Sequence, residues 1–201
     1  VSDDLVKWEN HKLPSELPLY DYAPDVRVMG EYVYFCASKK GEKCDRYRTK
    51  DILNGPYEKI EGTFDFWDPN LFVDDDGKAY HIYSSEDNLT LQIAELSDDY
   101  LSHTGKYIRI FPGGHNEAPA IFKKDGIYWM ITSGCTGWEP NKARLLTATS
   151  ILGEWKQLPN PCGGENADKT FGGQSTYVLT LQGTEKQFIF MADSWRPESL
   201  A

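Results

Sequence analysis

The sequence predicts an all-β fold, a β-propeller, on three observations. A strand-turn-strand pattern recurs as "APDVRVMGEYVYFCAS" from Ala23, "DPNLFVDDDGKAYHIYSS" from Asp68 and "APAIFKKDGIYWMITSG" from Ala118. Its prolines fall at 24, 69 and 119, intervals of 45 and 50, and its turn glycines at 30, 77 and 126 keep pace. Each copy then continues, about 25 to 30 residues after its proline, into a further signature: "TKDILNGPYEKI", "LSDDYLSHTGKYIRI" and "TSILGEWKQL". No stretch carries a convincing long amphipathic helix. A period in the forties with four short strands is what a propeller blade requires, because one four-stranded sheet buries both faces only when neighbours stack around an axis.

The elements are taken in chain order. Residues 1–16 contain "SDDLVKW", which matches the late part of a blade whose opening is absent. Blade 17–60 turns at Gly30. Blade 61–110 turns at Asp74-Asp75-Asp76-Gly77, which reads as a hairpin rather than a calcium loop, since the EF-hand needs alternating ligands and a glutamate at its twelfth position. Blade 111–162 turns at Lys123-Lys124-Asp125-Gly126, where Asp-Gly tolerates the positive φ angles of a tight turn. Residues 170–201, which include "GGQSTYVLTLQGTEKQFIFMADS", form a degenerate copy with its turn at Gly183. This last copy stops before its late part, so residues 1–16 are expected to complete it and remove an exposed edge. The count is about four blades.

Composition narrows the function. The 201 residues are 40% hydrophobic, ordinary for a globular core, and carry a formal charge of −10 with no basic stripe, which argues against a nucleic-acid partner. No run of eighteen apolar residues occurs and "VSDDLVKWEN" has neither a basic nor an apolar leader region, so no membrane span or signal peptide is expected in this chain. Cys36, Cys44, Cys135 and Cys162 lack paired zinc-ligand spacing; Cys36 and Cys44 could bridge neighbouring strands or stay as buried thiols. The sequon Asn88-Leu89-Thr90 has little specificity.

The stretches "YAPDV" (22–26), "FWDPNLFVDDDGKAY" (66–80) and "NEAPAIFKKDGIYWMITSGCTGWEPN" (116–141) resemble glycoside hydrolase family 43 over essentially the whole chain. The last of these, with "TFGGQSTYV" (170–178), resembles the exo-β-1,3-galactanase-related branch. The resemblance implies a five-bladed propeller and an inverting, exo-acting hydrolase of plant polysaccharide side chains such as β-1,3-galactan. It also implies an extracellular or periplasmic location, an oligosaccharide or polysaccharide partner, and no cofactor, a structural calcium ion being the one metal left open. Family members carry a base aspartate in the opening of the first blade; four countable blades against five leave about one blade, and that base, outside this chain. A β-xylosidase, an α-L-arabinofuranosidase, or a sugar-binding or inactive propeller fragment are the alternatives. The oligomeric state stays open.

Inverting hydrolysis needs an acid that protonates the leaving oxygen and a base that activates water on the other face of the sugar. Glu117, Asp68 and Asp25 sit beside the repeated prolines, where innermost strands converge on a propeller axis. By resemblance Glu117 is the general acid and Asp68 the aspartate that orients it and raises its pKa, which agrees with the effect of a nearby negative charge. Asp25 is either a support of the cavity floor or a Pro-Asp turn residue. Gln174 matches a glutamine that galactanase-like members place at the site, where an amide positions water or acts as an imidic tautomer. Tyr22, Trp67, Trp138 and Trp195 lie near strand mouths, where aromatic faces stack on sugar rings; Trp138, in the polar loop "GCTGWEPN", is the best platform. His115, two residues before Glu117, is a candidate substrate contact.

Overall fold

The computed structural model describes residues 2–12, 14, 22–38, 44–64, 67–181 and 187–194. The chain divides into two compact units, residues 1–64 and 65–201. In the first, β1 (Tyr22–Met29), β2 (Tyr32–Ser38), β3 (Cys44–Thr49) and β4 (Glu58–Phe64) form one antiparallel sheet in sequence order. It is held by aromatic packing: Phe35 stacks on Tyr47 with centroids 5.4 Å apart, and Tyr57 meets Phe35 edge-on at 6.0 Å. Residues 2–12 make bends and no strand, so completion of the last blade by residues 1–16 is a proposal rather than an observed pairing. Cys36 is buried; the side chain of Cys44 lies outside the described residues, and the bridge between them with it.

The second unit repeats the same meander. β5 (Trp67–Val73), β6 (Ala79–Ser85), β7 (Thr90–Leu96) and β8 (His103–Ile110) make one sheet, and β9 (Asn116–Lys124), β10 (Ile127–Gly134), β11 (Arg144–Ala148) and β12 (Lys156–Leu158) the next. After the 3₁₀ segment Ala167–Gly172, β13 (Gly173–Leu181) and β14 (Gln187–Ser194) pair as a two-stranded sheet. These sequential antiparallel sheets are propeller blades, the class the sequence predicts. Turn Gly183 falls among residues outside the description.

Stacking of these blades explains a pattern that sequence periodicity hides. All seven residues of β6, "AYHIYSS", are buried, so the strand shows no polar-apolar alternation. Between the second and third sheets, Ile82, Leu91, Ile93, Ile121, Met130 and Leu146 form a shared core, each at most 2% exposed. Each such side chain contributes about 1.5–3 kcal/mol by leaving water. β9 lies against both β5 and β13, which brings the first strands of three successive sheets together. Among the described residues no helix is long and apolar enough to cross a membrane.

Candidate active site

The repeated prolines sit on β-bulges. On β9, Glu117 pairs with Ser133 and Ala120 with Ile131, so Ala118 and Pro119 together oppose the single residue Thr132. On β5, Trp67 pairs with Ser84 and Asn70 with Ile82, leaving Asp68 and Pro69 opposite Tyr83. A shift between Tyr22 and Asp25 marks the same feature on β1, and one between Ser175 and Tyr177 marks a bulge on β13. Proline has no N–H for the ladder, so a bulge is where a strand tolerates it, and the extra residue re-aims the side chains around it. Asp68 (φ 49°) and Ala118 (φ 52°) take left-handed backbone there, which aspartate accepts more readily than alanine. Glu117 therefore stands just before its bulge, Asp68 within its own and Asp25 just after; the three carboxylates occupy three different register positions.

The bulges bring Asp68 to Glu117. Asp68 Oδ2 accepts the Ala118 N–H at 3.0 Å, while Ser175 Oγ donates to the Ala118 carbonyl at 2.5 Å, so Ala118, the residue after Glu117, is held at both its N–H and its carbonyl by neighbouring sheets. Glu117 itself is half-buried at the start of β9. Gln174 Nε2 donates to its Oε1 at 2.9 Å and to Ser133 Oγ at 2.8 Å, and Asn88 Nδ2 approaches Oε2 at 3.4 Å. Burial raises the Asp68 pKa, opposed by the Ala118 N–H. Burial also raises that of Glu117, the Asp68 charge raises it further, and hydrogen bonds from Cys135 and Gln174 with the Arg144 charge act the other way. Cys135 is pushed up to about 12, by burial first and then by Glu117. The result is a carboxyl that holds its proton more tightly than a solvated glutamate, next to an amide whose N–H groups already point at Glu117 and Ser133.

The structure sorts the other predicted residues. His115 has an exposed side chain and acts on the loop through its backbone: its N–H donates to the Leu89 carbonyl at 3.3 Å, and its carbonyl accepts from the Cys135 N–H at 3.3 Å. Trp138 is 48% exposed in the loop after β10. Asn141 closes that loop, its amide exchanging two 2.8 Å hydrogen bonds with the Gly134 backbone, and Thr170 Oγ1 donates to the Asn141 carbonyl at 2.7 Å. Asp25 is buried within the first unit, its charge felt by Arg27. The side chains of Tyr22 and Trp67 and the whole of Trp195 lie outside the described residues. Asp74 accepts hydrogen bonds from Lys123 (2.5 Å) and Tyr128, so its carboxylate ties the second sheet's hairpin to the third sheet.

Sequence reasoning missed Asn88, Ser133, Cys135, Arg144 and Ser175. Each reaches the site from a different strand or loop. Asn88 ends a run of three left-handed residues, Glu86, Asp87 and Asn88 (φ 56°, 58° and 61°), and Thr90 of its sequon is fully buried. The Asp-Gly turn alone would set Glu117 opposite Gly134; the bulge at Ala118 and Pro119 shifts its partner to Ser133, so the turn does not reveal that neighbour. Phe171, 61% exposed and three residues before Gln174, adds an aromatic surface.

The sequence model of glycosyl hydrolases family 43 matches residues 1–194. A β-1,3-galactosidase of that family, solved with galactodeoxynojirimycin, is 51% identical and superposes with a TM-score of 0.79 over 88% of this chain and 68% of its own. An exo-β-1,3-galactanase variant from Phanerochaete chrysosporium, solved with β-1,3-galactotriose, is 27% identical with a TM-score of 0.73 over 88% of this chain and 43% of its own. A β-D-galactofuranosidase of Aspergillus niger is 26% identical over 219 residues, 94% of this chain and 63% of that enzyme. The chain thus spans less than two thirds of that relative's length.

Proposed function

The chain belongs to glycosyl hydrolases family 43, and from that premise we propose that it acts in an inverting, exo-acting glycosidase on β-1,3-galactan or related plant polysaccharide side chains. The observation that carries this reading is Glu117: a half-buried carboxyl with a raised pKa, beside Asp68 and gripped by Gln174. A general acid must be protonated at the working pH and lose its proton as the leaving oxygen gains negative charge. Burial and the Asp68 charge serve the first requirement, while the Gln174 N–H, ready for the carboxylate, serves the second. Asp68 fixes the acid's direction through the Ala118 peptide. Both N–H bonds of Gln174 are engaged by Glu117 and Ser133, which leaves its carbonyl oxygen to position the attacking water. Trp138 offers a face to a sugar ring and His115 a polar contact, with Trp67 as a further substrate-binding candidate. Hydrolysis by this route needs no cofactor, and a polymeric substrate fits an extracellular or periplasmic site of action.

The half-exposed Trp138 also suits a sugar-binding module. Incubation of a blade-complete form of the protein with β-1,3-galactan, with galacto-oligosaccharide calorimetry in parallel, separates the readings. Release of galactose supports the hydrolase, binding without release supports the module, and neither overturns both. Within the hydrolase reading, Glu117→Gln is expected to cost about 10²–10⁴-fold on oligosaccharides and far less on dinitrophenyl glycosides, whose leaving group needs little protonation. An equal loss on both substrates removes Glu117 from the acid role.

A further inference from the structure

Among the described residues, Arg144 is the guanidinium that grips the loop leading to Glu117, with three hydrogen bonds. Its Nη1 donates to the Gly114 carbonyl at 2.7 Å and to Asn116 Oδ1 at 2.9 Å, with the His115 carbonyl sharing one of its two hydrogens at 3.2 Å; the three consecutive residues end one short of the acid. Asn116, 1% exposed, also accepts from Thr132 Oγ1 at 3.0 Å, so the group that receives the arginine is itself fixed to β10. The loop cannot relax around this contact. A Cβ on Gly114 would stand 2.8 Å from both Asn116 Nδ2 and the Phe111 carbonyl, and His115 is held in left-handed backbone at φ 50°. On the other side of the guanidinium, a Cβ on Gly134 would stand 3.0 Å from Nη2.

We propose that Arg144 is a positioning residue for the reaction, stapling residues 114–116 to β11 so that the Glu117 carboxyl is delivered at one fixed place, within reach of the guanidinium's charge. The proposal rests on the reading of Glu117 as the general acid. Its second effect is electrostatic: Asp68 from β5 pushes the acid toward its protonated form, while Arg144 from β11 pulls toward the carboxylate. The other described groups facing Glu117 are the Cys135 thiol from the loop after β10 and the uncharged Asn88, Ser133 and Gln174. Proton transfer to a leaving group asks for this opposition, because an acid that only holds its proton is as poor as one that has lost it.

The test titrates the Glu117 carboxyl by ¹³C NMR in the 201-residue chain, its resonance assigned by loss in Glu117→Gln, and follows galactoside hydrolysis by the same variants in a blade-complete form of the protein. Arg144→Gln is expected to move the Glu117 midpoint to higher pH and the alkaline limb of the rate profile with it. Its kcat should fall by up to about 10²-fold at nearly constant KM, the scale of a small misplacement. Arg144→Lys keeps the charge but neither the planar guanidinium nor its reach to the loop, so the midpoint is expected to stay while kcat still falls. Should Arg144→Gln fail to fold, Gly134→Ala displaces the guanidinium without removing its charge and is expected to lower kcat in the same sense. A midpoint unmoved in Arg144→Gln, or a kcat unchanged in both Arg144→Lys and Gly134→Ala, overturns the proposal. The acid reading fails separately, through undiminished oligosaccharide hydrolysis by Glu117→Gln.

Discussion

Asp68 touches Glu117 in two ways, through its charge and through the Ala118 peptide, and a single substitution separates them. Asp68→Asn keeps an oxygen for the Ala118 N–H but deletes the charge that raises the acid's pKa. The alkaline limb of the pH-rate profile is therefore expected to move to lower pH, since the acid now loses its proton sooner. An unmoved limb would confine Asp68 to holding the bulge. Cys135 lies in the same shell and responds to the same burial, yet with the opposite chemical consequence. A thiol moved from 9.0 to about 12 carries about 10³ less thiolate near neutral pH, and the thiolate is the nucleophile. Iodoacetamide at pH 7.5 should leave Cys135 largely unmodified by mass spectrometry under conditions that alkylate an ordinary exposed thiol; rapid labelling would contradict the closed packing around Glu117. Glu117 and Asp68 were legible because their motif surrounds a proline and a strand. Cys135 was not, because a cysteine in a Gly-rich loop looks the same whether or not it faces a carboxyl.

At the scale of elements, the turns were readable and the bulges were not, for a physical reason. A two-residue Asp-Gly turn is a local event, written in the residues that make it: Asp125 and Gly126 take φ 52° and 76°, and Lys124 pairs with Ile127 across them. Gly126 has nothing within 4 Å of a built Cβ, so Gly126→Ala should cost only its left-handed backbone, roughly 1–2 kcal/mol in urea unfolding. A much larger loss would mean that the turn carries tertiary contacts. The repeated prolines, by contrast, read from sequence as spacing marks. The structure shows those at 69 and 119 as the second residue of a bulge whose first residue, Asp68 or Ala118, is left-handed, and at Ala118 neighbouring sheets hold that residue through Asp68 and Ser175. That support arrives from 50 and 57 residues away in the chain. No local propensity encodes it, and the left-handed run at Glu86, Asp87 and Asn88 that carries Asn88 to the acid is equally silent.

For the molecule as a whole, the same burial that tunes the site weakens the fold, and the two carboxylate classes make this measurable. Burial alone would raise Asp74, but its hydrogen bonds from Lys123 and Tyr128 outweigh that and hold it below the usual carboxylate range. The folded state therefore gains stability from Asp74 above its unfolded pKa and loses it as pH falls through the lowered folded value. Asp68 and Glu117 are shifted the other way. A raised carboxylate binds its proton more tightly in the folded state, so its contribution is fully present below the unfolded pKa and is lost as pH rises through the folded one. At neutral pH the protein thus carries a standing cost at these two positions, as the proposed roles of an acid and its modulator require. Asp68→Asn and Glu117→Gln are accordingly expected to raise Tm at pH 7 and to leave it nearly unchanged near pH 2.5, below the ordinary range of both carboxyls, where each is protonated in either state. Asp74→Asn should do the reverse, lowering Tm at pH 7 with an effect that shrinks toward acid. Calorimetric melting of the three variants across that range checks both signs at once, and a neutral-pH destabilisation by Asp68→Asn would show that its hydrogen bond to Ala118, rather than its burial, dominates.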